Sequence, residues 1–213
     1  MRKIFSVLLI IVLAVSLSAC GSDPTPKDTA EKYLAAIKAQ DAEGVRAVYD
    51  GSYSEDELMG TVDSLLGESE EGKEDDEAAK QFKVKIFGFD YTVGEERIDG
   101  EDAEVDVTFK TYEFGAMIGQ YLERTVNELL PAAFNGASAE EIYEMGIKIL
   151  EEELANLTEK SYEKTVPMKL KKVKGEWKVA EIEDDSEFLN AMLGGMVDTV
   201  KEFETIEDSQ NGD

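Results

Sequence analysis

The chain has 213 residues, 48 acidic and 22 basic, with a formal charge of −26, no histidine and one cysteine. So acidic a surface excludes nucleic acid as a partner, since phosphate binding needs a basic footprint. Without histidine the commonest general base, histidine metal sites and any Ser-His nucleophile are gone. With a single cysteine there is no intramolecular disulfide, and a hydrophobic core must supply the stability.

Arg2 and Lys3 form a charged leader, and residues 4–17 form an apolar run too short to span a bilayer comfortably, which is the pattern of a cleaved signal. The segment Leu17-Ser18-Ala19-Cys20 resembles the lipobox of bacterial lipoproteins. That resemblance implies cleavage before Cys20 and lipid attachment to its thiol, with palmitate-type acyl chains. The mature chain would then lie at the cell membrane, lipid-anchored on its extracytoplasmic face. Residues 1–19 are then signal peptide, and residues 20–27 are the lipidated cysteine and a flexible tether, in which Pro24 and Pro26 oppose helix. Two acyl chains anchor stably at about 0.8 kcal/mol per buried methylene, where one holds marginally.

Asp28-Thr29-Ala30-Glu31 has capping-box spacing and opens a helix with Tyr33, Leu34 and Ile37 on one face. Further helices are predicted over residues 42–49 and 54–66, the latter with Leu58, Val62, Leu65 and Leu66 apolar. The acidic run over 68–77 lacks the ligand spacing and glycine of a calcium loop and reads as a solvated loop.

From Phe82 the period changes to two. Phe82, Val84 and Ile86 alternate with lysines, and the parity flips to Phe89, Tyr91 and Val93, so a bent strand with a bulge at Gly88 is predicted. Asp99-Gly100 supplies a hairpin turn, and Val105, Val107 and Phe109 face one way on the return strand.

A helix over residues 114–130 is predicted to stop at Pro131, with Gly115 and Gly119 packing closely onto the sheet. Ser138-Ala139-Glu140-Glu141 caps a second helix that buries Ile142, Met145, Ile149, Leu150 and Leu154. Strands over 162–173 and 176–182 turn at Lys174-Gly175, and Pro167 argues for an edge or a bulge. The lysines at 164, 169, 171, 172, 174 and 178 are expected to pair with carboxylates such as Glu104 and Asp106. One amphipathic helix over 186–203 closes the chain, carrying Gly194-Gly195 at a cost of roughly 1 kcal/mol each.

The order predicts an α+β fold. N-terminal helices pack on a strongly bent, cone-like antiparallel sheet of two hairpins, with a helical pair inserted between the hairpins and a C-terminal helix. Residues 28–203 make one domain, and 204–213 an acidic disordered tail. The opening helix Ala30-Glu31-Lys32-Tyr33-Leu34-Ala35-Ala36-Ile37, the pattern Gly100-Glu101-Asp102-Ala103-Glu104-Val105-Asp106-Val107 and the run Lys174-Gly175-Glu176-Trp177-Lys178-Val179 resemble a family of small Gram-positive lipoproteins of unknown function. Their domain has the nuclear-transport-factor-two-like, or cystatin-like, cone fold. The resemblance implies an extracytoplasmic domain and carries over no catalytic residue.

Two functional readings follow. The favoured one is a non-enzymatic binding or interaction module, anchored to the membrane at Cys20 and taking a small apolar ligand or an envelope protein. Its pocket candidates are Phe89, Tyr91, Phe109, Trp177, Met192 and Met196. Trp177 also reads as a core anchor. The alternative is a cavity-based isomerase or lyase of the ketosteroid-isomerase or SnoaL-like type, built on Asp90 with Tyr91 or Tyr112. Alternation puts Asp90 and Tyr91 on opposite faces. No metal site and no cofactor are expected on either reading.

Overall fold

A computed structural model describes residues 23–51, 77–183 and 185–210. Cys20, the signal peptide, the predicted helix over 54–66 and the acidic run over 68–76 lie outside the described residues.

Helix α1 (Pro26–Ala39) begins one turn earlier than the Asp28 box predicts. Thr25 is its N-cap, in a reciprocal capping box with Asp28, and Pro26 sits where a missing N–H costs nothing. Ala30, Tyr33, Leu34 and Ile37 bury its inner face. Asp41 caps α2 (Ala42–Val48) through the Gly44 amide at 3.0 Å.

Residues 82–86, expected as strand, belong to helix α3 (Glu77–Ile86). Phe82 and Ile86 are spaced for either period. Ala78, one turn before Phe82, completes a buried helical stripe, while Val84 is 73% exposed. Lys83 and Lys85 in the last turn suit the helix dipole.

Strands β1 (Asp90–Asp99), β2 (Asp102–Thr111), β3 (Tyr162–Val173) and β4 (Glu176–Val179) form an open antiparallel sheet in the order β1-β2-β3-β4. This is the α+β architecture the element order predicts. The bulge falls between Val93 and Glu96 rather than at Gly88, and Gly94 is its tight point, since a Cβ there would lie 3.2 Å from the Asp106 carbonyl oxygen. Core-facing pairs run in register: Ala103 with Leu170, Val105 with Met168, Val107 with Val166. The outer face is polar. There Arg97, not the lysines, bridges Asp106 (2.7 Å) and Glu104 (3.4 Å), because its planar fork meets both Asp106 oxygens.

Pro167 lies neither on an edge strand nor in a bulge but on interior β3, opposite Asp106. The Lys169 carbonyl accepts from Ala180 and the Lys172 amide donates to Glu101, so odd-numbered β3 residues present their backbone toward β4. Pairing with β4 covers only Leu170 to Val173, so the donor Pro167 lacks would point past the end of β4.

Helix α4 (Phe114–Arg124) does not stop at Pro131. It continues through a π-helical turn (Thr125–Leu129) into α5 (Leu130–Phe134). After the widened turn Pro131 sits in the first turn of α5, where its missing N–H is tolerated. Ser138 and Glu141 form the expected capping box on α6 (Ala139–Asn156).

The single C-terminal helix is instead two, α7 (Glu187–Met192) and α8 (Met196–Gln210), the second running past the expected end at 203. Gly194 (φ +57°) and Gly195 (φ +85°) make the break, and a Cβ on Gly194 would meet the Tyr112 carbonyl oxygen. Gly115 packs on this turn and not on the sheet: its amide donates to the Gly194 carbonyl at 3.0 Å, and a Cβ would lie 2.6 Å from the Gly195 oxygen. Buried Asn190 ties the two helices, donating to Asp198 at 2.7 Å and accepting from its amide at 3.1 Å.

Candidate functional site

The pocket residues chosen from sequence lie mainly in the interior. Phe89 and Phe109 meet edge to face with ring centroids 5.7 Å apart, Phe109 meets Phe188 at 5.1 Å, and Tyr91 leans on Phe89 at 6.1 Å. Met192 and Met196 are buried in the same core. Trp177 is half-buried at its margin, with Lys172 Nζ 5.4 Å from the ring centre. Phe188, which sequence reasoning did not single out, closes the aromatic cluster from α7.

Asp90 is on the surface, its side chain 58% exposed, held by Lys160 at 2.7 Å and Lys38 at 3.3 Å. The hydrogen bond from Lys160, with Lys38 adding, holds its carboxyl below the ordinary value of 3.8. Lys38 also donates to the Phe89 carbonyl at 2.6 Å, so the cluster clamps the end of α1 to the start of β1. Burial pushes the Tyr91 phenol up. Tyr112 faces a different cation, Lys85, 4.7 Å from its ring centre.

Among the described residues the buried carboxylate is Glu153, 5% exposed, with Oε1 2.9 Å from Arg124 Nη1. Its signal was present in sequence: Gly146, Ile149, Leu150, Glu153 and Leu154 follow helical spacing along the inner face of α6. Glu153 borders a cleft of about 250 Å³ between α4 and the end of α6. Glu113, Glu159, Gln120 and Asn156 share its wall, with Met117 and Leu157 among the apolar residues there. This acceptor-rich lining suits hydrogen-bond donors, in a volume below the ~300 Å³ typical of small-molecule sites. Among the described residues no three acidic or cysteine side chains gather as a metal site.

The second surface feature is the helical hairpin from α4 to α6. Phe114, Met117 and Ile118 are buried at its base, as are Ile149, Leu150 and Leu154 on the returning helix, and exposure rises toward the tip. Val126, Leu130 and Phe134 are 56%, 51% and 89% exposed. In an α-helix steps of four over-rotate slightly, and the wider π turn under-rotates, so the two offsets keep these three in one stripe. Arg124 braces the stem, contacting Glu128 (2.8 Å), Glu152 (2.9 Å) and Glu153, and these carboxylates raise its already high pKa. No described helix is long and apolar enough to cross a membrane.

No protein-family profile and no curated protein matches the chain. Among solved structures it is similar to YcdA of Bacillus subtilis, provisionally described as a lipoprotein, at 17% identity and a TM-score of 0.44. The likeness covers 83% of this chain and 56% of YcdA. At that TM-score it transfers neither fold nor function.

Proposed function

We propose that the chain is a lipid-anchored extracytoplasmic lipoprotein whose domain is a non-enzymatic interaction module. The observation that supports the module reading is made among the described residues: Phe89, Phe109 and Phe188 are buried and pack edge to face on one another. Contacts with other molecules then fall on the outside, which favours an envelope protein over a small apolar ligand. The anchor rests on Leu17-Ser18-Ala19-Cys20 after a short apolar leader. Kinship with the Gram-positive lipoproteins of nuclear-transport-factor-two-like fold is part of the proposal, supported by α1 and its neighbours packing on an antiparallel sheet of two hairpins. An isomerase or lyase would need a buried carboxyl at an open cavity. Asp90 is outside and ion-paired, and Glu153 is engaged by Arg124.

Metabolic fatty-acid labelling with membrane fractionation tests the anchor. Wild type is expected to be labelled and membrane-bound. Cys20→Ala is expected to be unlabelled and mislocalised, with its fold intact. Unlabelled wild type released freely into the medium would sink the lipoprotein reading.

A further inference from the structure

We infer that the stripe Val126, Leu130 and Phe134 is the docking surface of this module, and that its partner is a protein presenting an apolar groove rimmed by lysine and arginine. The inference rests on the interaction-module reading but not on the lipid anchor. Three large apolar side chains aligned at more than half exposure, on a stem braced by Arg124, are costly to leave in water. Val126 lies on the π turn and Leu130 directly follows it, which adds to the argument, since such turns recur at functional sites.

Charge selects the occupant. Between residues 113 and 156 the only cations are Arg124 and Lys148. Arg124 is spent on three glutamates, and Lys148 faces Glu152 at 4.0 Å. Exposed Glu123, Glu128, Glu140, Glu141 and Glu144 surround the stripe in sequence. A second copy of a chain carrying −26 would bring like charges together, and anionic headgroups would repel the same rim. A basic-rimmed groove complements both the apolar stripe and the glutamates that flank it in sequence.

Placement agrees. Lys27, in the first turn of α1, bonds Glu96 (3.0 Å) and Gly94 (3.2 Å) on β1, and α1 then runs to Lys38 beside Asp90. Asp90 pairs with Lys110, one residue before the end of β2 from which the helical hairpin departs. The start of α1 and the hairpin therefore join the body at opposite ends of α1, so the hairpin departs from the end away from the N-terminus.

The test places the photo-reactive amino acid p-benzoylphenylalanine at position 126 of the full chain in its own cells. Ultraviolet light is expected to yield an adduct with one other protein, mapped to an apolar peptide flanked by lysine or arginine. Adding Leu130→Asp and Phe134→Asp, which raises the negative charge, should cut that adduct at least tenfold while the thermal midpoint stays within a few degrees. The same probe at Ile98, 55% exposed, should give none of it. An adduct with a second copy, an adduct with phospholipid, no adduct above the Ile98 control, or one untouched by the aspartates would overturn the proposal. Fatty-acid labelling in the same cells reads the anchor separately.

Discussion

Arg124 Nη1 stands 2.9 Å from Glu153 Oε1, joining a half-exposed guanidinium at the end of α4 to a carboxylate that α6 buries. The two partners are not equivalent. Without Arg124, the buried Glu153 side chain loses that donor, and an orphaned buried acceptor costs on the order of 1–3 kcal/mol. Without Glu153, Arg124 retains Glu128 and Glu152 and its access to water. Arg124→Leu is therefore expected to lower the urea midpoint clearly, Glu153→Leu to change it little, and the double variant to recover most of the loss. Equal effects of the two single variants would show that Glu153 does not depend on its partner.

Asp90 offers a pH test. Its carboxyl lies below the ordinary 3.8 in the folded state, chiefly through Lys160, so the folded form favours the carboxylate. Stability from this source is present above pH 3.8 and is lost as pH falls through the folded-state value. Asp90→Asn should be slightly less stable than wild type at neutral pH, the gap closing below about pH 4. Because the group is largely exposed, added salt should shrink the gap. A gap that persists at low pH would assign the effect to packing rather than to charge.

Two glycines separate backbone strain from steric clash. Gly100 (φ +66°) has open space where a Cβ would lie, so Gly100→Ala should cost only the left-handed penalty of roughly 1–2 kcal/mol. Gly194 (φ +57°) adds to that strain a Cβ driven onto the Tyr112 carbonyl. Gly194→Ala should lower the thermal midpoint far more than Gly100→Ala and should disturb the α7–α8 turn against Gly115. Similar midpoints for the two would refute the account of the turn.

The hairpins were legible because alternation over Val105, Val107 and Phe109 admits one period only, and because Asp99-Gly100 and Lys174-Gly175 are strong turns. Helix α3 was not, since Phe82 and Ile86 fit either period while Val84 continues the alternation, and the burial of Ala78, Phe82 and Ile86 that decides for a helix is tertiary. The break at Gly194 was priced as helix interior. Only the approach of Tyr112 and Gly115 shows why a positive φ is required there. The stripe was hidden by its own chemistry: Val126 and Leu129 continue the apolar series of α4, and nothing local says that the core ends near Leu122. Glu153 has the spacing of the buried stripe of α6, but its charge reads as solvated unless that spacing is weighed together with the partner Arg124.

Phe109 and Phe134 are the same side chain in opposite settings, and they test stability and docking apart. Phe109 is fully buried between Phe89 and Phe188, so Phe109→Ala removes its transfer free energy and leaves a cavity, together about 3–5 kcal/mol. Phe134 is 89% exposed, and its truncation to alanine should fall within about 0.5 kcal/mol of wild type. Chemical denaturation of the two variants reads both values. If Phe134→Ala proved as destabilising as Phe109→Ala, Phe134 would be packed in the free protein and the stripe would have no spare apolar surface to give a partner. A near-silent Phe134→Ala leaves the residue contributing nothing measurable to folding, which is the condition a docking anchor must meet.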